Sequence, residues 1–185
     1  MRRFCSPGET NVSPSRPPTR ETRTTPTARR EEDRLLDVGD LLPDFELETD
    51  TGERVKLSGL RGRKVILYFY PKDDTPGCTK QACAIRDAWK EFRATGAEVF
   101  GVSPQDAASH AKFKAKYDLP FTLLVDDDHK LADEFGFWKQ KAFSGKKYMG
   151  IERSTVVIGE DGTVETIWRR VKPDEHADKL LQALS

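Results

Sequence analysis

Cysteine is scarce in this chain, three residues in 185, at Cys5, Cys78 and Cys83. That excludes a disulfide-stapled scaffold and leaves two neighbouring thiols, which suit a reducing compartment and catalytic use. Net charge is missing too, because 31 basic residues balance 31 acidic ones. No global field draws a polyanion to the chain, and no nucleic-acid partner is expected. No apolar run approaches the roughly 20 residues a membrane span needs, so no membrane partner is expected either. Internal repeats are absent. The three histidines, His110, His129 and His176, show no metal-binding spacing, and Cys78 and Cys83 have no second ligand pair beside them. A closed zinc site is therefore not expected.

The N-terminal stretch is poor in acid and in large apolar groups. Its first thirty residues set seven arginines against Glu9 and Glu21, a charge of +5 that leaves −5 on the remainder. Residues 1–36, rich in Arg, Ser, Thr and Pro, cannot bury enough surface to offset chain entropy and read as a disordered tail. Residues 37–185 read as one folded domain, long enough for a real core. No apolar run follows the first arginines, which excludes a secretory signal. The expected location is the cytoplasm, or an organelle if the tail is a transit peptide, whose composition it loosely shares. Cys5 is a bystander on this reading.

The rest of the chain alternates strand and helix signals. Phe45, Leu47, Val55 and Leu57 flank Thr51-Gly52 as an N-terminal β-hairpin. Val65 to Tyr70 is continuously apolar, as expected of a central strand covered on both faces. From Cys78 to about Phe92 the period becomes helical, with Cys78, Ala82, Ile85, Trp89 and Phe92 on one stripe. Strands are expected at Glu98–Val102, Phe121–Val125, Thr155–Ile158 and Val164–Trp168. A helix runs through Ala111, Phe113 and Tyr117, and Pro173 opens a last one. Lys146 and Lys147 read as a solvated loop. This is an α/β layered domain with a mixed sheet.

The chemistry concentrates at Thr75-Pro76-Gly77-Cys78-Thr79-Lys80-Gln81-Ala82-Cys83. A strand delivers Cys78 to a Pro-Gly turn where a helix begins, and exposed amides with the helix dipole favour thiolate over thiol there. Thr75 can present a hydroxyl at the same spot, or simply cap the helix. Arg86 reads as structural or solvated. Cys83 stands five residues on, rotated by about 140° and raised about 7.5 Å on an intact helix. The Cα separation is then about 8.7 Å, beyond the roughly 7 Å a bridge tolerates, so any Cys78–Cys83 bond requires the first turns to unwind.

Pro71, Thr75 and Cys78 spell the P-x-x-x-T-x-x-C signature, and the whole segment resembles the Q, or bacterioferritin-comigratory, branch of the peroxiredoxins. The run Lys146 to Thr155 is similar to that branch's stretch before the penultimate strand. The resemblance covers about residues 37–184 and implies a thioredoxin-like fold, with a mixed central sheet flanked by helices. By resemblance Cys78 is the peroxidatic cysteine and passes through a sulfenic acid, Cys83 resolves it as an intramolecular disulfide, and Arg153 supplies the cation. Thr75 orients peroxide and Pro71 walls the pocket. Trp138, Phe143 and Tyr148 fall in a region the family uses near the site, or pack in the core. The implied protein is a monomeric thiol peroxidase without metal or organic cofactor, reducing hydrogen peroxide and organic hydroperoxides and recycled by thioredoxin. Two rivals share the fold. A thiol–disulfide oxidoreductase would carry C-x-x-C, which Lys80-Gln81 excludes, whereas a non-catalytic redox switch or holdase would react once instead of turning over.

Overall fold

A computed structural model describes residues 35–184, apart from the side chain of Phe143. Cys5 and all of the expected tail except Leu35 and Leu36 lie outside these residues. Leu36 packs against the core and its amide donates to the Glu134 carbonyl at 2.7 Å, so packed chain begins at least one residue before Asp37.

Seven strands form a mixed sheet, made of β1 (Glu46–Thr49), β2 (Arg54–Lys56), β3 (Val65–Phe69), β4 (Glu98–Ser103), β5 (Thr122–Val125), β8 (Ser154–Ile158) and β9 (Val164–Trp168), in the order β2-β1-β5-β4-β3-β8-β9. β3, β4 and β5 are parallel neighbours, while β1 joins β5, and β8 joins β3 and β9, antiparallel. The parallel pairs need crossovers, which helices α1 (Pro76–Asp87), α2 (Trp89–Ala94) and α3 (Ala107–Tyr117) supply. This is the expected thioredoxin-like arrangement with its N-terminal hairpin.

Every residue of β3 is buried, and its side chains alternate between two cores. Val65, Leu67 and Phe69 join Phe100, Val102, Phe135, Phe137 and Val156 on one face. Ile66 and Tyr68 join Cys78, Ala82, Ile85, Phe92, Phe113 and Leu180 on the other. The second face carries α1, α3 and α5 (His176–Leu184), so the apolar stripe of the cysteine helix is one wall of a core. Among the described residues no helix is long and apolar enough to cross a membrane.

Several boundaries differ from the sequence reading. The cysteine helix begins at Pro76, not at Cys78, because proline suits the first helical position, where its missing N–H costs nothing. It also stops at Asp87; Ala88 leaves the helical region (φ −93°, ψ 15°) before α2 resumes. Pro173 opens a 3-10 turn, Pro173–Glu175, and α5 starts at His176. The short helix α4 (Lys130–Glu134) comes after β5, its first amides received by the buried Asp126 carboxylate at 3.1 and 2.9 Å. β6 (Trp138–Phe143) and β7 (Lys146–Ile151) form a separate hairpin, so Lys146 and Lys147 lie in a strand and not in a loop.

Candidate active site

The end of β3 feeds a loop, residues 71–75, that α3 holds from the side. Pro71 opens it half-buried. Asp73 is buried, and its carboxylate receives Tyr70 Oη at 2.7 Å, Ser109 Oγ at 2.7 Å and His110 Nδ1 at 2.9 Å. Burial opposes that charge, yet the bonds from His110, Ser109 and Tyr70 outweigh it and hold the carboxyl below its usual range. Asp74 takes a left-handed φ of 53°, which Asp tolerates better than most residues. Its carboxylate receives Lys116 Nζ at 2.7 Å and Tyr117 Oη at 2.6 Å.

Thr75 is the N-cap of α1 by its extended backbone, but its side chain does not cap; the hydroxyl donates to the Lys72 carbonyl at 3.1 Å. That bond uses the hydroxyl proton and leaves the oxygen an acceptor. The first helical bond runs from the Thr79 amide to the Thr75 carbonyl at 2.8 Å, so the Gly77 and Cys78 amides stand ahead of the ladder. Cys78 is therefore the third helical residue, on the positive end of the dipole, and is only 2% exposed.

Arg153 arrives from the residue just before β8, whose pairing of Ser154 with Phe69 carries it to the end of β3. Its Nη2 donates to Cys78 Sγ at 3.3 Å, while Nη1 donates to Gln81 Oε1 and approaches the Gly77 carbonyl at 3.5 Å. The close approach explains Gly77: a Cβ there would stand 3.2 Å from Arg153 Nη2 and 3.7 Å from Pro173. Lys141 of β6 donates to the Ile151 carbonyl. Burial and then the Arg153 charge push its ammonium below the usual range.

Behind Arg153 the polar contacts continue inward. Gln81 is fully buried one turn past Cys78, and its Nε2 lies 2.9 Å from His176 Nδ1. His176, also fully buried, places Nε2 at 2.7 Å from Thr155 Oγ1. Burial, and then the charges of Arg153 and Lys179, lower its imidazole to about 3, so the ring is neutral at neutral pH.

The structure thus brings Cys78 and Arg153 into contact and sets Thr75 at the head of the helix that carries Cys78. Cys83 lies on the same uninterrupted α1, partly exposed, and both thiols are free. Arg86 ties α1 to α3 by donating to the Tyr117 carbonyl at 2.8 Å. Trp138 stacks on His129 with ring centroids 3.7 Å apart, whereas Tyr148 is 49% exposed, which removes the core reading for it. Gln81, His176 and Thr155 were not foreseen as part of the site. The one signal for Gln81 was a polar residue beside Cys78 and Ala82 on an otherwise apolar face.

A sulfur shielded from bulk water, on a helix start and under a guanidinium, is the arrangement of a thiol-based redox enzyme on a thioredoxin-like sheet. The AhpC/TSA family model matches residues 38–167. Peroxiredoxin Bcp of Bacillus subtilis (strain 168) is 51% identical over 149 residues, 80% of this chain and 95% of that protein. A putative chloroplastic peroxiredoxin Q of Oryza sativa subsp. indica is 45% identical over 147 residues, 79% of this chain and 65% of that one. Among solved structures, the bacterioferritin comigratory protein of Xanthomonas campestris, studied for its alkyl peroxide reduction activity, superposes with a TM-score of 0.75 at 38% identity, covering 80% of this chain and 97% of that one. The chain belongs to the AhpC/TSA family and, within it, to the Bcp/Q branch of the peroxiredoxins. It is a peroxidase acting on hydroperoxides, and as such takes its electrons from a reductant.

Proposed function

We propose that Cys78 is the peroxidatic nucleophile of a two-cysteine cycle, with Arg153, Thr75 and Pro71 completing the pocket and Cys83 as the resolving thiol. The contact of Arg153 Nη2 with Cys78 Sγ at 3.3 Å carries the reading. A donor fixed on sulfur favours the thiolate, which is the attacking species. The same guanidinium, permanently charged and multiply donating, faces the oxygen that gains charge as the peroxide bond breaks. Thr75 Oγ1, its own proton engaged, accepts the peroxide O–H and aims that hydroxyl-bearing oxygen at sulfur. Pro71 offers no N–H to recruit water.

The thiolate attacks one peroxide oxygen, the O–O bond breaks, and the other oxygen leaves as hydroxide or alkoxide and takes a proton. Sulfur loses two electrons and becomes the sulfenic acid. Cys83 then attacks that sulfur and releases water as the disulfide forms, once the first turns of α1 open. A dithiol protein of the thioredoxin kind reduces the disulfide and restores both thiols. Hydrogen peroxide and small organic hydroperoxides are the substrates, and the working unit is a monomer in the cytoplasm, or in an organelle if residues 1–36 direct it there.

The test is peroxide turnover with thioredoxin as reductant. Cys78→Ser abolishes it, and Cys83→Ser retains one round of Cys78 oxidation but loses coupled turnover. Full activity in the Cys78 variant ends this reading. Sedimentation of the reduced protein tests the monomer.

A further inference from the structure

We infer that His176 is a positioning residue for this site: it holds the Gln81 side-chain amide in the orientation that keeps Arg153 turned toward Cys78. The inference rests on the proposed roles of Cys78 and Arg153, and extends them 95 residues along the chain to the opening of α5.

The direction of each bond is forced by the groups themselves. A guanidinium only donates, so the Gln81 atom facing Arg153 Nη1 is the carbonyl oxygen. The amide NH2 therefore points at His176 Nδ1, 2.9 Å away, which must offer a lone pair. The ring proton is then on Nε2 and goes to Thr155 Oγ1 at 2.7 Å. Arg153, Gln81, His176 and Thr155 form a directed chain from the edge of the pocket into the core.

An amide has two unlike ends of nearly the same shape, and Gln81 has no access to water that could accept either one. If it flipped, NH2 would face the guanidinium and oxygen would face a lone pair, two repulsive contacts in place of two bonds. Arg153 would then lose the partner on Nη1 that fixes the plane in which Nη2 meets sulfur. The guanidinium takes the oxygen end, and the imidazole, as acceptor for the NH2, holds the other. The imidazole is itself held fast, by Thr155 on β8, by the edge-on ring of Tyr68 on β3 (centroids 5.9 Å apart), and by complete burial at the start of α5. Burial, and then the cationic Arg153 and Lys179, keep the ring neutral, so that one of its nitrogens carries a lone pair.

The experiment uses the reduced full chain and monitors one turnover with hydrogen peroxide by stopped flow. His176→Phe keeps a buried ring but removes the acceptor, and the oxidation rate is expected to fall at least about tenfold, the factor an unsatisfied buried amide is worth. His176→Asn, whose Oδ1 can stand near the position of Nδ1, recovers most of that loss. Gln81→Glu supplies the sharper test, because a carboxylate has no wrong end. In that background His176→Phe is expected to cost less than about threefold, since there is no NH2 left for the imidazole to hold.

Equal losses in the two backgrounds would make His176 a packing residue, and a wild-type rate in His176→Phe would overturn the inference outright. Imidazole nitrogen NMR of the unmodified protein decides independently of any variant. An Nε2–H tautomer across about pH 5 to 8 supports the chain, and a proton on Nδ1 refutes it. Arg153→Ala, run alongside, separates the two levels: if it reacts like wild type, the reading of the site fails first, whatever His176 does.

Discussion

Replacing Arg153 with alanine removes three donations at once, and their consequences differ in kind. Cys78 Sγ loses its 3.3 Å donor, Gln81 Oε1 loses its only guanidinium partner, and the Gly77 carbonyl loses a long contact of 3.5 Å. The first loss is chemical. A donor aimed at developing charge is worth roughly a hundred- to a thousandfold in rate when removed, so peroxide should oxidise Cys78 slower by about that factor. The second loss is structural. Gln81 is fully buried, and a buried acceptor left bare costs about 1–3 kcal/mol. For a domain of this size each kcal/mol lowers the melting temperature by about 2–4 °C, which gives a fall of roughly 2–12 °C. Arg153→Lys should restore one donation, since an ammonium is a single point and the guanidinium spans two acceptors. Stopped-flow oxidation of the reduced protein measures the rate, and thermal unfolding measures the stability. Oxidation within about threefold of wild type would refute the reasoning, because the contact with sulfur would then do nothing for the reaction.

Three further outcomes are expected from other parts of the molecule. His176 stays neutral in the fold down to about 3 but takes a proton near 6.5 when unfolded, so its share of stability is complete above about pH 6.5 and falls as the pH drops toward 3. At pH 5 the loss should be about 2 kcal/mol in denaturant titrations, and His176→Phe should flatten that part of the profile; an unchanged slope would count against a buried neutral ring. Gly101→Ala would put a Cβ 2.7 Å from Leu123 Cδ2 and 2.8 Å from Tyr68 Oη, costing about 1–3 kcal/mol of unfolding free energy. Tyr68→Phe should recover part of that, since its hydroxyl has no hydrogen-bond partner among the described residues, and no recovery would leave Leu123 Cδ2 and the ring carbon Tyr68 Cζ, 2.9 Å away, as the obstacles. Finally, amide exchange on the oxidised protein should show lost protection from Thr79 through Asp87, whose amides bond to carbonyls four residues back, with Phe92 intact; unchanged protection there would remove Cys83 as the resolving thiol.

Much of the candidate site was legible because its signals are local. Cys78, Thr75 and Pro71 lie within one turn and loop, and the apolar run of β3 announces a strand buried on both faces. Arg153 was legible only through the run that contains it, since a lone arginine before a strand says nothing of where its side chain goes. The β6–β7 hairpin was missed because its alternation is carried by lysines and not by apolar residues. Its turn did leave a mark, Ser144-Gly145, both with positive φ (49° and 77°), the two-residue connection that hairpins prefer. α4 is five residues long, too short to show a period, and depends on Asp126 to receive its first amides. The link from Gln81 to His176 joins residues 95 apart, and only the packing of α5 against α1 brings them together.

The break at Ala88 bears on how such an enzyme fails. α1 is anchored by the fully buried Ile85 just before the break, and α2 by the fully buried Phe92 just after it. The two turns that carry Cys78 and Cys83 can therefore open as a small unit of their own, while α2 stays packed. How often they open sets a clock. On the proposed cycle, until they do, the sulfenic acid at Cys78 waits beside the pocket that made it, and a second peroxide can carry the sulfur on to the sulfinic acid, which thiols do not reverse. Tolerance of the substrate and resistance to heat are thus opposed in this segment. A substitution that stiffened residues 76–83 would raise the melting temperature and lower the dose of peroxide the enzyme survives.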